Sequence, residues 1–90
     1  MKKIFITVVG KDVVGIIYKV TEVLYHNDIN IMDISQTTMQ DMFTMIMLAD
    51  ISGSKISFDE LVDRLMALGK KEGLVIHCQH EDIFNSMHTI

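Results

Sequence analysis

The stretch Gly10-Lys11-Asp12-Val13-Val14-Gly15 joins an apolar run to an amphipathic run and predicts a strand-to-helix turn. Asp12 is a candidate N-cap, because its carboxylate can accept hydrogen bonds from the free N–H groups of a first helical turn. Gly10 allows the chain to turn at positive φ, and Gly15 leaves the first turn without a side chain. Exposed N–H groups at a helix N-terminus can bind a small anion such as a carboxylate. The stretch is therefore either an ordinary turn or an anion site, and its glycine pattern is too short for a nucleotide fingerprint.

The residues on either side of this turn predict a central strand and an amphipathic helix. Residues 4–9 are almost entirely apolar on both alternating faces, with Ile4, Ile6 and Val8 on one face, which is typical of a strand in the middle of a sheet. After the turn, apolar side chains recur at helical spacing through residues 13–24. Asn27 or Asp28 is expected to end this helix, since both residue types tolerate a left-handed cap.

The middle of the chain predicts a hairpin with one edge strand and one central strand. Residues 29–40 mix polar with apolar side chains, which suits a sheet edge better than its centre. Gln40-Asp41 is the expected hairpin tip, although it contains no glycine. Residues 42–51 are apolar on both faces and predict a second central strand.

The last third predicts a well-delimited helix and a final strand. Ser57 and Glu60 have the spacing of a capping box, in which each side chain binds the backbone N–H of the other residue. Lys70 and Lys71 in the last turn and Gly73 just beyond it are typical of a helix C-terminus. Residues 74–80 predict the final strand, and residues 82–90 a short C-terminal helical tail.

The order β-α-β-β-α-β predicts an α+β fold, the ferredoxin-like sandwich. Placing the two apolar strands in the centre gives a four-stranded antiparallel sheet of spatial order 4-1-3-2, with both helices on one face. The opposite face, assigned Phe5, Met45 and Met47, is then not fully covered by the chain. An apolar face of this kind is a reason to expect association.

Composition restricts the class of protein further. Ninety residues make a single domain spanning residues 1–90, and a net charge of −4 argues against a nucleic acid or an anionic membrane as partner. Cys78 is the single cysteine, so no disulfide within the chain can form. With neither a signal peptide nor a membrane-spanning stretch recognisable, we expect a cytoplasmic protein.

Two motifs together resemble those of the ACT domain family. One is Gly10-Lys11-Asp12-Val13-Val14-Gly15-Ile16, an Asp and a Gly opening the first helix; the other is Asn27-Asp28-Ile29-Asn30-Ile31, ending in Asn-Ile at the start of the second strand. The chain departs from many members in having Val13-Val14 where Arg-Pro is common. It looks like a stand-alone ACT-domain protein, similar to the regulatory modules of glycine cleavage and of formyltetrahydrofolate hydrolysis.

The resemblance implies regulation by a bound amino acid at the interface of a homodimer. Geometry supports this interface, because the predicted sheet puts Asn30 at the opposite end from the first turn. Pairing two copies of the second strand about a two-fold axis would bring Asn30 of one subunit near the turn of the other. The expected ligand-binding residues are Gly10, Lys11, Asp12, Val13, Val14, Gly15 and Asn30, with Asp12 able to meet an ammonium group.

Other functions are weighed against this one. His77, Cys78 and His80 invite a metal site, but alternate side chains of a strand face opposite sides, so they do not converge on one ion. We therefore expect neither a metal nor a cofactor. A ligand-free dimerisation or protein-interaction module remains open, as does a small enzyme on the same scaffold, such as a phosphatase. An enzyme of that kind would need an Arg in the first turn. Because Lys11 is the only cation there, we expect no catalysis.

Overall fold

A computed structural model describes residues 2–11 and 15–82. The elements follow in the predicted order: β1 (Lys3–Lys11), α1 (Ile16–His26), β2 (Asn30–Met39), β3 (Met42–Asp50), α2 (Phe58–Glu72) and β4 (Val75–His80). All strand pairs are antiparallel, and the sheet order is β2-β3-β1-β4. The predicted ferredoxin-like fold is confirmed, with the mixed polar strand β2 at one edge.

One core fills the space between the sheet and the two helices. β1 buries every second side chain, so that Ile4, Ile6 and Val8 are fully buried. The helices close this face with fully or almost fully buried side chains from both apolar stripes: Ile16, Val20, Leu24, Leu61 and Leu65. Burying a side chain of this size stabilises the fold by about 1.5–3 kcal/mol, so this layer is the main source of stability.

The register of β1 with β3 decides which face each methionine takes. Ile6 stands opposite Met47 and Val8 opposite Met45, so both methionines lie under the helices and are completely buried. The prediction that Met45 and Met47 lie on the open face is therefore wrong. A strand that is apolar on both faces gives no internal sign of its register, and a shift by one residue exchanges the faces.

The ends of α2 follow the sequence closely. The Ser57 hydroxyl accepts a hydrogen bond from the N–H of Glu60 at 3.1 Å, as the capping box predicts. The return bond is not among those of the described residues; the Glu60 carboxylate accepts from Arg64 at 3.4 Å instead. Gly73 closes the helix with φ of 72°, and Lys70 and Lys71 lie in the last turn.

The predicted C-terminal tail lies beyond what is described. Glu81 and Asp82 are helical, and residues 83–90 fall outside the described residues. Among the helices of residues 2–11 and 15–82, none is long and apolar enough to cross a membrane.

Candidate functional site

Gly10 and Lys11 are the last two residues of β1 rather than part of the turn. Gly10 pairs with Phe43 of β3, and it is not among the described residues with positive φ. The expected turn at Gly10 is therefore wrong. A Cβ at this position would lie 2.5 Å from Cδ2 of Leu74, so the missing side chain leaves room for Leu74 at the start of β4.

Gly15 is the residue that takes the left-handed conformation. It is the N-cap of α1, with φ of 84° and ψ of 5°, and a Cβ built on it would meet no atom within 4 Å. The helix thus starts three residues later than an N-cap at Asp12 requires, and that prediction is wrong. Asp12, Val13 and Val14 themselves lie outside the described residues.

The two helix N-termini differ in how their free N–H groups are satisfied. In α2 the Ser57 side chain caps the first turn, which also carries the acidic residues Asp59 and Glu60. In α1 no side-chain cap hydrogen bond is found among the described residues, and the first turn contains no acidic residue. Among residues 2–11 and 15–82, no side-chain cap and no acidic residue of the first turn offsets the partial positive charge at the start of α1. Lys11 is exposed at the strand end that precedes this helix.

Asn30 lies at the other end of the sheet. It is the first residue of β2, is exposed, and pairs with Asp50, which in turn pairs with Lys3 at the start of β1. Eight residues of β1 separate this end from Lys11, roughly 26 Å at the usual rise of a strand. Within one chain, Asn30 is therefore far from the strand end that carries Gly10 and Lys11.

A groove of about 660 Å³ lies between α1 and the start of β2. Its described lining consists of eight residues from these two elements and the loop between them: Tyr18, Thr21, Glu22, Tyr25, His26, Ile29, Asn30 and Ile31. Tyr18 and Tyr25 are 66% and 78% exposed, which is unusual for aromatic side chains of this size. The Tyr18 hydroxyl donates to the Glu22 carboxylate at 3.1 Å, and this hydrogen bond raises the pKa of Tyr18.

The sequence analysis did not identify these groove residues. Tyr18, Glu22 and Tyr25 follow one another at i, i+4 and i+7, which places them on one face of α1, away from the buried stripe. Two tyrosines on the polar face of an amphipathic helix are the signal that could have found the groove.

The histidines and the cysteine of β4 do not form a common site. His77 pairs with Thr7 on the open face, whereas Cys78 pairs with Ile6 on the face under the helices. The His80 ring stacks on Phe58 with centroids 4.3 Å apart. Burial raises the pKa of the Cys78 thiol to about 12, so the thiol is protonated at neutral pH. Within residues 2–11 and 15–82, no group of three or more His, Cys, Asp or Glu side chains could hold a metal ion.

Comparison with known families identifies the class of protein to which this fold belongs. The sequence model of the ACT domain matches residues 2–79. The chain belongs to the ACT domain family, whose members are regulatory ligand-binding modules. The resemblance seen in the two sequence motifs is confirmed.

Similar proteins of the same size occur elsewhere. The UPF0237 protein of Clostridium acetobutylicum is 54% identical over 88 residues, covering 98% of this chain and 99% of that protein. The solved structure of an ACT domain protein from Streptococcus pneumoniae is 37% identical and superposes with a TM-score of 0.80, covering 92% of this chain and 93% of that chain.

Two solved structures of longer proteins contain the same fold. One is a proposed glycine cleavage system transcriptional repressor, 26% identical with a TM-score of 0.74, covering 88% of this chain and 45% of that chain. The other is a formyltetrahydrofolate deformylase from Pseudomonas syringae, 16% identical with a TM-score of 0.81, covering 89% of this chain and 28% of that chain. At this identity the second likeness concerns the fold alone.

Proposed function

We propose that this protein is a regulatory module that binds a small amino acid as a homodimer, in the cytoplasm. The observation that carries the proposal is the start of α1. It offers N–H groups with neither a side-chain cap nor an acidic residue among its described neighbours, and it follows the strand end that carries the exposed Lys11. A carboxylate is the ligand group that such a site favours, because it complements both the N–H donors and the positive end of the helix.

The second half of the proposed site is Asn30 of the partner subunit. β2 is an edge strand, so its outer backbone groups can pair with β2 of a second copy. With the two strands antiparallel about a two-fold axis, the start of one β2 stands beside the end of the other. Asn30 would then reach the end of the sheet where Lys11 and Gly15 lie in the other subunit. Its amide offers one acceptor and two donors to the ligand.

Exposed apolar side chains along this edge support the dimer. Met32 is the extra residue of a bulge in β2 and is 41% exposed, and Tyr18 and Tyr25 of α1 line the groove beside the start of β2. Aromatic and methionine side chains are enriched in protein–protein interfaces, where the edge of α1 and β2 would bury them.

Calorimetric titration with the standard amino acids tests the proposal. One small amino acid should bind, and Asn30→Ala should weaken its binding by about 1–3 kcal/mol, because a buried polar group of the ligand loses its partner. Gln79→Ala is the control, since it removes an amide from β4, at the opposite edge of the sheet from the proposed dimer interface. This control should leave the affinity unchanged.

The ligand-free dimerisation module is the competing function, and the same titration separates the two. A dimer that binds none of the amino acids at millimolar concentration would be such a module. An Asn30→Ala variant with unchanged affinity would show that a ligand binds elsewhere.

A further inference from the structure

The sheet has a second face that the helices do not cover. Six side chains of this face cluster around the hairpin end of β2 and β3, and we term them the open-face patch: Val9, Met39, Met42, Thr44, Ile46 and Val75. Met39 is 70% exposed, Val75 54% and Met42 45%. None of the six belongs to the core cluster or packs against it, so this patch is an apolar surface separate from the core.

The charges around the patch are mixed in sign. The six patch residues carry no charge, while Lys11 pairs with Met42 at one end of the sheet. At the other end Lys3 pairs with Asp50, and Asp33 of β2 pairs with Leu48. Because the rim carries charges of both signs, two copies related by a two-fold axis can place opposite charges against each other. A partner whose surface carries only one sign of charge would not be electrostatically complementary to this rim.

The area of the open face limits how much surface one contact between two copies can bury. Four strands spaced about 4.8 Å apart, with about nine residues rising about 3.3 Å each, give a face of roughly 570 Å². Two single faces would bury roughly 1,100 Å² together, which is near the lower limit of a specific interface. Pairing of β2 edges makes one sheet of twice the width, and stacking two such sheets would bury roughly 2,200 Å², above the ~1,600 Å² of a standard interface.

We infer that the open sheet face packs against the same face of a second copy, so that two edge-paired dimers assemble into a tetramer. This inference rests on the edge-paired dimer of the proposed function. Two apolar sheet faces pack about 10 Å apart with interdigitating side chains, and the patch supplies flexible methionines around a centre of β-branched residues. The start of α1 lies on the helix side of the sheet, outside the stacked faces, whereas Lys11 lies at the rim of the patch.

Sedimentation and native mass spectrometry of single-site variants test the inference. The wild type should have about four times the mass of the 10.3 kDa chain, and Thr44→Lys should halve that mass, because it would bury a charge among the apolar side chains of the patch. Asp63→Lys is the control, because Asp63 is exposed on α2, which packs against the other face of the sheet. The control should keep the mass of the wild type. Met42→Lys serves in place of Thr44→Lys if circular dichroism shows that the latter does not fold.

Each outcome bears on the inference. A wild type of only twice the chain mass, unchanged by Thr44→Lys and Met42→Lys, overturns the stacking and leaves the edge dimer intact. A wild type of twice the chain mass that Thr44→Lys reduces to a single chain supports the stacked faces and overturns the edge dimer. Titration of the Thr44→Lys dimer with amino acids separates the two proposals, because edge-paired dimers should bind as tightly as the tetramer.

Discussion

Gly15 and Gly73 have nearly the same backbone conformation at opposite ends of two helices. Their φ values are 84° and 72°, and a Cβ at either position would meet no atom within 4 Å. Any cost of a side chain at these positions therefore comes from the left-handed conformation itself rather than from a clash. Comparing variants of Gly15 and Gly73 therefore distinguishes the structural role of a glycine from a role in ligand binding.

Replacing each glycine by alanine should destabilise the protein by a similar amount, about 1–2 kcal/mol, because L-residues are strained in the left-handed region. Only Gly15→Ala should also lower the affinity for the amino acid, since Gly15 precedes the free N–H groups of α1. Chemical denaturation measures the first effect and calorimetric titration the second. Equal affinities in the two variants would remove Gly15 from the ligand site.

In α2, the contribution of the N-cap to stability can be compared directly with that of a buried core side chain. Ser57→Ala should cost about 1 kcal/mol through loss of the side-chain bond to the first turn. Leu65→Ala should cost about 2–5 kcal/mol, because Leu65 is completely buried and its loss leaves a cavity. Urea denaturation measures the free energy of unfolding of each variant. A larger loss of stability in Ser57→Ala than in Leu65→Ala would contradict the proposal that the core contributes more than the cap.

The elements were predictable from the sequence wherever periodicity and end signals agreed. α2 has both, with Ser57 before its apolar stripe and Gly73 after it, and its bounds match the expectation. The faces of β3 were not predictable, because a strand apolar on both sides has no internal sign of register. The start of α1 was misplaced because a glycine N-cap leaves no side-chain signature, and Asp12 offered a stronger one.

The candidate site was predictable only in part, since it depends on more than one element. Gly15 and Asn30 stand where the sequence motifs suggested, at opposite ends of the sheet. The groove between α1 and β2 needs the packing of the helix against an edge strand, and spacing within α1 alone does not reveal how deep that groove is. The two halves of the proposed site come together only in a dimer, and the sequence of one chain does not by itself show how the second subunit is placed.

At the scale of the whole molecule, ligand binding and assembly should be coupled. An amino acid held by residues of both subunits binds the dimer better than the monomer, so it shifts the equilibrium towards the dimer. Sedimentation across a dilution series should show dissociation at a lower protein concentration when the ligand is present. A dissociation midpoint that does not move with ligand would contradict a site shared between subunits.

Cys78 is a natural chemical reporter of local unfolding in this small protein. It is the only cysteine of the chain, and it lies in β4, the shortest strand, at a sheet edge. Alkylating reagents attack the thiolate, and burial both shields the sulfur and keeps it protonated. Because Cys78 is partly buried, separation of β4 from the core should raise its alkylation rate at neutral pH above that of the folded state. The natural sequence can thus measure local unfolding and its suppression by a bound effector, without an introduced label.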